Sequence, residues 1–368
     1  MIHTSIFPGR YVQGAGAIDT LGEELARFGA SGLVICDPFV AKEVLPEFRE
    51  ALSSAVSVTV ETFGGECSED EVERLSALRD TAGGDFVVGI GGGKTLDSAK
   101  AVAAGAGLPS AVVPTIASTD APCSSLAIIY NADGSYKRDW FLHRNPNLVL
   151  VDTAIVARAP VRFLVSGMGD ALSTWFEAES CRRAYAPNMT GHVGTDAAYA
   201  IARLCYDNLL EYGLAAKLSC EAGVVTEALE HIVEANTLLS GIGFESVGVA
   251  SAHSVHNGLT ALRGTHAFYH GEKVAFGVLS DLFLTDRPRA VIDEVYGFCE
   301  SVGLPTTLAE LGLAGVSDEE LMLVARKACG PDEVIHNEPI PLDARSVLAA
   351  MKLADAAGRE RQRQSSKG

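Results

Sequence analysis

The rhythm of apolar and polar positions changes once along the chain, near residue 160. Before that point, short continuous apolar runs alternate with amphipathic stretches. "GLVICD" (32–37), "VSVTVETF" (56–63), "DFVVGI" (85–90), "SAVVPTI" (110–116) and "NLVLVD" (147–152) predict strands. "AKEVLPEFREALSSA" (41–55) and "SEDEVERLSALRDTA" (68–82) predict helices, and a further helix is expected over 95–105. The serine and acids that open the second of these suit an N-cap and the positive end of the helix dipole. Strands of this kind alternating with helices predict a parallel sheet covered on both faces. Ligands of such sheets bind outside the carboxyl ends of the strands.

After about residue 160 the pattern is helical almost throughout. "GMGDALSTWFEAESCRRAY" (167–185), "GHVGTDAAYAIARLCYDNLLEYG" (191–213), the stretch 224–244, "VGVASAHSVHNGLTAL" (247–262) and "HGEKVAFGVLSDLFL" (270–284) all read as helices. The expected organisation is an α/β domain over 1–160 and an all-α domain over 161–368, with Pro160 near the boundary. The polar tail "GRERQRQSSKG" (358–368) is expected to fray.

Composition narrows the function classes. The 368 residues are 48% hydrophobic and 21% charged, enough apolar surface for about two cores. The formal net charge of −18 argues against nucleic acid and anionic membranes as partners, because phosphate surfaces need positive charge. Eight scattered cysteines contain no C-x-x-C pair, which points to reduced thiols and a cytoplasmic protein. The start "MIHTSIFPGRYVQG" has no signal-peptide pattern, and the longest apolar tract, "AVAAGAGLPSAVVP", is too short to span a membrane.

Three stretches carry candidate chemistry. "GIGGGKT" (89–95) follows a strand and opens a helix. It fits neither standard phosphate fingerprint: a P-loop needs its first glycine at Val88, and the dinucleotide pattern needs a glycine at Lys94. The unpaired N–H groups of a helix start still make an anion site, and a pyrophosphate is a good candidate. Asp37, at a strand end, suits the hydroxyls of an adenosine ribose and would repel a 2′-phosphate; it reads equally as a turn residue before Pro38. "PTIASTDAPCSS" (114–125) offers hydroxyls for a nicotinamide and ribose and one acid, Asp120, for a polar substrate; the bland reading is a capped loop.

The third stretch is the most specific. "ASAHSVHNG" puts His253 and His256 on one helical face, and His270 opens the next helix. Asp170 lies in "GMGDALSTW". Imidazoles with a carboxylate suit zinc or ferrous iron. Spacing leaves open whether His253 or His256 is the ligand. His266, in the expected loop "RGTHAFY", ranks below both.

Together "GIGGGKTLDSAKAVA", "VPTIASTDAPCSSLAIIY", "NPNLVLVDT", "GMGDALSTWFEA", "GFESVGVASAHSVHNGLTAL" and "YHGEKVAFG" resemble bacterial glycerol dehydrogenases. These belong to the metal-dependent alcohol dehydrogenase superfamily, with its dehydroquinate synthase-like fold. The similarity extends from "PGRYVQG" to about "IHNEP". It implies an NAD-binding α/β domain and a helical metal-binding domain. The implied zinc ligands are Asp170, His253 and His270, with His256 beside them. The implied NAD contacts are Asp37, Gly93, Lys94, Thr115, Ser118, Ser124, Leu126 and Tyr130, and the implied substrate aspartate is Asp120. Iron-dependent relatives carry a histidine one turn after the aspartate; here that position is Thr174. Val247 stands where the resemblance predicts a second glycine, and is expected to narrow the site slightly.

The resemblance implies hydride transfer from glycerol or a related vicinal diol to NAD, giving dihydroxyacetone or the matching hydroxyketone. Another small diol such as 1,2-propanediol is the alternative. A dehydroquinate synthase-like cyclase is disfavoured, since only Lys94 and Lys273 stand near the site motifs to hold a phosphate. A homo-oligomer, in particular an octamer, is also implied.

Overall fold

The computed structural model of the chain describes residues 1–132 and 134–366. The strands are β1 (Tyr11–Gly14), β2 (Ser31–Cys36), β3 (Ser57–Thr62), β4 (Phe86–Gly91), β5 (Ser110–Pro114), β6 (Leu126–Tyr130), β7 (Tyr136–Phe141) and β8 (Leu148–Asp152). The helices of the first part are α1 (Leu21–Leu25), α2 (Pro38–Glu43), α3 (Leu45–Leu52), α4 (Glu69–Ala82), α5 (Gly93–Ala106) and α6 (Thr153–Arg158). Those of the second are α7 (Val161–Ala184), α8 (Asp196–Glu221), α9 (Glu227–Glu234), α10 (Ser240–Val247), α11 (Ser251–Leu259), α12 (His270–Leu284), α13 (Arg289–Val302), α14 (Asp318–Ala328) and α15 (Ala344–Ser365).

Six strands form one sheet in the order β1-β8-β5-β4-β2-β3, parallel throughout. The apolar runs are continuous because both faces are covered. Along β2, Val34 and Cys36 enter one core with Leu21, Leu45 and Leu52, while Leu33 and Ile35 enter the other with Leu75, Ala99 and Val102. Chain order reverses at β2, which pairs with β3 on one side and β4 on the other. The crevice at such a switch point is where open α/β sheets bind ligands. Asp37 and the glycine turn after β4 sit at that reversal: the amide of Asp37 donates to the carbonyl of Ile90 at 2.9 Å.

The chain divides into two compact units. One comprises Ile6–Val161 and Leu218–Gly241; the other comprises Met1–Ser5, Arg162–Lys217 and the residues from Ile242 onward. The first stretch of the α/β unit ends at Val161, and the stretch 218–241 packs with that unit. Its attachments are specific. Gln13 donates to the backbone and side chain of Glu230, Thr153 donates to the same carboxylate at 2.6 Å, and Asn236 donates to the carbonyl of Ala117 at 3.0 Å. Helical periodicity identifies the element, not the core it packs on.

Two strand regions go beyond the sequence reading. β1 is four residues long, and the antiparallel hairpin β6–β7 has a largely exposed second strand. Of the tail expected to fray, residues 358–365 are helical, and 367–368 lie outside the described residues. α15 continues to Ser365, held partly by Arg361 against Glu300 and Asp293. All eight cysteines are free thiols. No helix among the described residues is long and apolar enough to cross a membrane.

Candidate metal and dinucleotide sites

The triad forms where three helices of the helical unit meet. Asp170 lies inside α7, His253 in the first turn of α11, and His270 is the first residue of α12. One ligand atom from each lies within 4.8 Å of the others. His270 Nε2 is 3.0 Å and His253 Nε2 3.7 Å from Asp170 Oδ1. The carboxylate is buried and the imidazoles are partly open.

The approach of α7 to α12 depends on Gly169 and Gly271. A Cβ on Gly271 would stand 1.8 Å from the carbonyl oxygen of Ser166, so the two helices touch through bare backbone next to Asp170 and His270.

Glu177, two turns after Asp170 on α7, is fully buried beneath His253. His253 Nδ1–H donates to Glu177 Oε2 at 2.7 Å. A carboxylate can only accept, so Nε2 is left as the lone-pair nitrogen facing Asp170. Glu177 Oε1 also accepts from the amides of Ala250 (2.8 Å) and His253 (3.0 Å), placing negative charge at the start of α11. Glu177 was not among the residues singled out from sequence, although it sits in the same "GMGDALSTWFEA" motif.

His256 is buried between Asn257 and His270. Its Nε2 is 3.1 Å from His270 Nδ1, and its Nδ1 is 3.0 Å from Asn257 Oδ1. Burial first, then the neighbouring His270, push its pKa well below the usual imidazole value, so the ring is neutral. Burial likewise lowers the pKa of Lys273. His266 is exposed and bonds the carbonyl of Thr260. Thr174 is buried, and a Cβ on Gly243 would stand 2.3 Å from its methyl group, so a packed contact occupies the position one turn after Asp170. Val247 is fully buried in a core cluster with Ala178, Ala198, Tyr199 and Ala202. This differs from the expected narrowing of a site: the side chain fills a core.

In the α/β unit, Gly92 precedes α5 and gives it no side-chain cap. The first amides of the helix are left for an anion. Gly91 has φ +150°, and a Cβ there would stand 2.8 Å from the Cβ of Asp37, so the turn requires glycine. At Gly93 the nearest atom to an added Cβ, Thr119 Oγ1, is 3.8 Å away. Lys94 Nζ bonds Glu66 Oε2 at 2.6 Å and lies 4.7 Å from the centre of the Tyr130 ring.

The other predicted dinucleotide residues occupy the rim that follows. Asp37 caps α2, its Oδ1 accepting from the amides of Phe39 and Val40, as the turn reading expected. Thr115 is buried after β5, and its amide donates to the carbonyl of Gly91. Ser118 is half-buried in the loop that follows. Ser124 is buried, its hydroxyl 3.2 Å from the carbonyl of Ala121. Leu126 and Tyr130 begin and end β6. Asp120 Oδ2 accepts from Ser240 Oγ at 2.6 Å, next to a π-helical turn at Ala235–Leu239. Such turns recur at functional sites.

Lys100 organises this rim from below and was also not foreseen. Its ammonium is buried and donates to the carbonyls of Ala121 (2.9 Å) and Leu126 (2.5 Å), with Asp97 Oδ1 at 2.8 Å. A lysine in a helix reads as surface until its burial is seen.

The chain is similar to known proteins along nearly its whole length. The pattern of iron-containing alcohol dehydrogenases matches residues 8–153. The chain is 64% identical to the glycerol dehydrogenase of Thermotoga maritima, over 98% of this chain and 99% of that protein. It is 53% identical to the glycerol dehydrogenase of Pseudomonas putida, over 95% and 96% of the two chains. The crystal structure of the Schizosaccharomyces pombe glycerol dehydrogenase superposes with a TM-score of 0.95 at 42% identity, covering 99% of this chain and 93% of that one. Identity at this level over nearly the full length of both chains shows that the protein belongs to the glycerol dehydrogenases of the iron-containing alcohol dehydrogenase family.

Proposed function

We propose that the chain oxidises glycerol, or a closely related vicinal diol, with NAD as the hydride acceptor and zinc at Asp170, His253 and His270. The observation that carries the reading is the triad itself. A carboxylate and two imidazoles converge, and the orientation of His253 is set by Glu177. The donor set fits a borderline divalent ion. Zinc is favoured over iron because Thr174 supplies no fourth imidazole, and three protein ligands leave a position for substrate or water.

A zinc ion held there supplies Lewis-acid polarisation of the substrate oxygen, and bound NAD supplies the hydride acceptor. The protein does the rest. Asp170 brings the negative charge of the ligand set, and the imidazoles of His253 and His270 complete it. The uncapped start of α5, with Lys94, would hold the cofactor pyrophosphate. Thr115, Ser118, Ser124, Leu126 and Tyr130 line the dinucleotide rim, and Asp37 disfavours a 2′-phosphate. Asp120, steadied by Ser240, orients a second substrate hydroxyl. The overall reaction would convert glycerol and NAD into the hydroxyketone, NADH and a proton released to solvent.

The deciding experiment follows NADH absorbance with purified protein, NAD and glycerol, before and after a chelator. Turnover that disappears with the metal and returns with zinc supports the reading. Return with ferrous iron alone overturns the choice of metal. Absence of turnover with glycerol and other small diols, in protein that binds NAD and zinc, overturns the substrate class. A cytoplasmic homo-oligomer, with an octamer as the specific form to test by sedimentation, completes the proposal; eight free thiols support the compartment.

A further inference from the structure

The two imidazoles of the triad are oriented by different means. His253 meets the carboxylate of Glu177 directly. On its Nδ1 side His270, the more exposed of the two, reaches a carboxylate only through intermediaries. Its Nδ1 is 3.1 Å from His256 Nε2; His256 Nδ1 is 3.0 Å from Asn257 Oδ1; Asn257 Nδ2 is 3.0 Å from Glu333 Oε2.

The direction of this series follows from its last member. A carboxylate only accepts, so Asn257 turns its NH2 towards Glu333 and its carbonyl towards His256. His256 therefore carries its hydrogen on Nδ1, and its Nε2 is an acceptor. His270 then donates from Nδ1, and its Nε2 keeps a lone pair for a cation shared with Asp170, whose Oδ1 is 3.0 Å away. The opposite direction would set the Asn257 carbonyl against the Glu333 carboxylate. The segment that carries Glu333 is itself fastened to α11 and to Val249 just before it. The amide of Ile335 donates to Ser254 Oγ at 2.8 Å, and Asn337 donates to the carbonyl of Val249 at 2.8 Å.

We infer that Glu333, Asn257 and His256 form a directional hydrogen-bond relay, and that it holds His270 in the tautomer whose Nε2 can bind the metal. All three are positioning residues. The inference rests on the proposal that the triad binds a metal. It adds that the affinity is set in part by a carboxylate three bonds removed from the ligand.

The test is zinc affinity, measured on chelator-stripped protein by competition with a chromophoric chelator. The parent should bind zinc, and Asp170→Ala should not. Asn257→Leu removes the acceptor for His256 and should weaken zinc binding about 10-fold or more, the scale on which partners of metal ligands act. The double variant Asn257→Asp with Glu333→Gln preserves the direction, because the new carboxylate accepts from both neighbours. It should bind zinc more tightly than Asn257→Leu, within about threefold of the parent on the same scale. Glu333→Lys reverses the direction, since an ammonium only donates. At high ionic strength it should bind zinc more weakly than Glu333→Met, which merely ends the relay. That pair decides the matter even where Asn257→Leu fails to fold. Parent-like affinity in Asn257→Leu, equal losses in the two Glu333 variants, or a double variant as weak as Asn257→Leu would each overturn the relay alone. Zinc binding indifferent to Asp170→Ala would instead overturn the metal site on which it rests.

Discussion

The carbonyl oxygen of Gly271 lies 2.4 Å from the position that a Cβ on Gly169 would occupy. Each glycine is the chain neighbour of a triad residue, so this crossing of α7 and α12 sets how closely Asp170 approaches His270. On an ordinary helix Gly→Ala stabilises by about 1 kcal/mol. Here Gly169→Ala forces the helices apart, and overpacking of this kind costs about 1–3 kcal/mol. The variant should melt lower than the parent and copurify with less zinc. Calorimetry and metal analysis measure both, and a variant that melts higher with full zinc would show that the close crossing is dispensable.

Glu177 accepts three hydrogen bonds with two oxygens, which makes glutamine a poor substitute. Glu177→Gln must turn its NH2 either towards His253 Nδ1–H or towards the amides that start α11. One donor then faces another. Zinc affinity should fall by about 10- to 100-fold, the usual consequence of losing such a partner. Titration of the stripped variant with zinc is the measurement, and parent-like affinity would rule out this carboxylate as the group that orients His253.

What the sequence made legible, and what it did not, follows from the range over which each signal acts. The strand runs, the Ser68 cap and the helical second half are local patterns, and the structure reproduces them. The triad was legible because His253 and His270 stand in glycine-bordered motifs. Spacing alone could not separate His253 from His256; the resemblance chose His253, and the geometry adds why His256 differs: it lies behind His270. Glu177 and Lys100 were hidden for a different reason. Both are charged residues on helices, where the default is a solvated face, and only the packing of distant segments shows that they are buried. The attachment of 218–241 to the α/β unit was hidden likewise, since it depends on Gln13, Ala117 and Thr153 far away in the chain.

Lys100 offers a test of how the dinucleotide rim is held. Its ammonium joins the carbonyls of Ala121 and Leu126 to Asp97, whose Oδ2 accepts from the amide of Ile128. Lys100→Met leaves a buried carboxyl without its cation, a change that costs about 3–5 kcal/mol. It also frees the loop that carries Ser124. Urea unfolding should show the loss of stability, and titration of NAD should show weaker binding. Adding Asp97→Asn should restore much of the stability but not the NAD affinity, because the carbonyl anchors stay lost. Recovery of both would mean that Lys100 serves only to neutralise Asp97.

The pH dependence of stability should carry the signature of Asp281. This residue is fully buried on α12, with Ser251 Oγ donating to its Oδ1 at 2.6 Å. Burial first, then the charge of nearby Glu338, raise its pKa well above the usual carboxyl value. Asp281 Oδ2 is buried without a hydrogen-bond partner among the described residues, as expected where charge is disfavoured. The folded state therefore binds this proton more tightly than the unfolded state, where the pKa is about 3.9. The resulting stabilisation is fully present below that value. It declines as pH rises through the folded pKa, because the unfolded chain has already released the proton. Asp281→Asn keeps a neutral side chain at every pH and removes the titration. As pH rises above about 3.9 the parent should lose stability relative to the variant, and the difference should level off once the pH exceeds the folded pKa of Asp281. Urea unfolding of both proteins across this range, with m-values checked for constancy, measures the difference. Parallel stability curves would mean that the Asp281 carboxyl does not change its protonation between the folded and unfolded states.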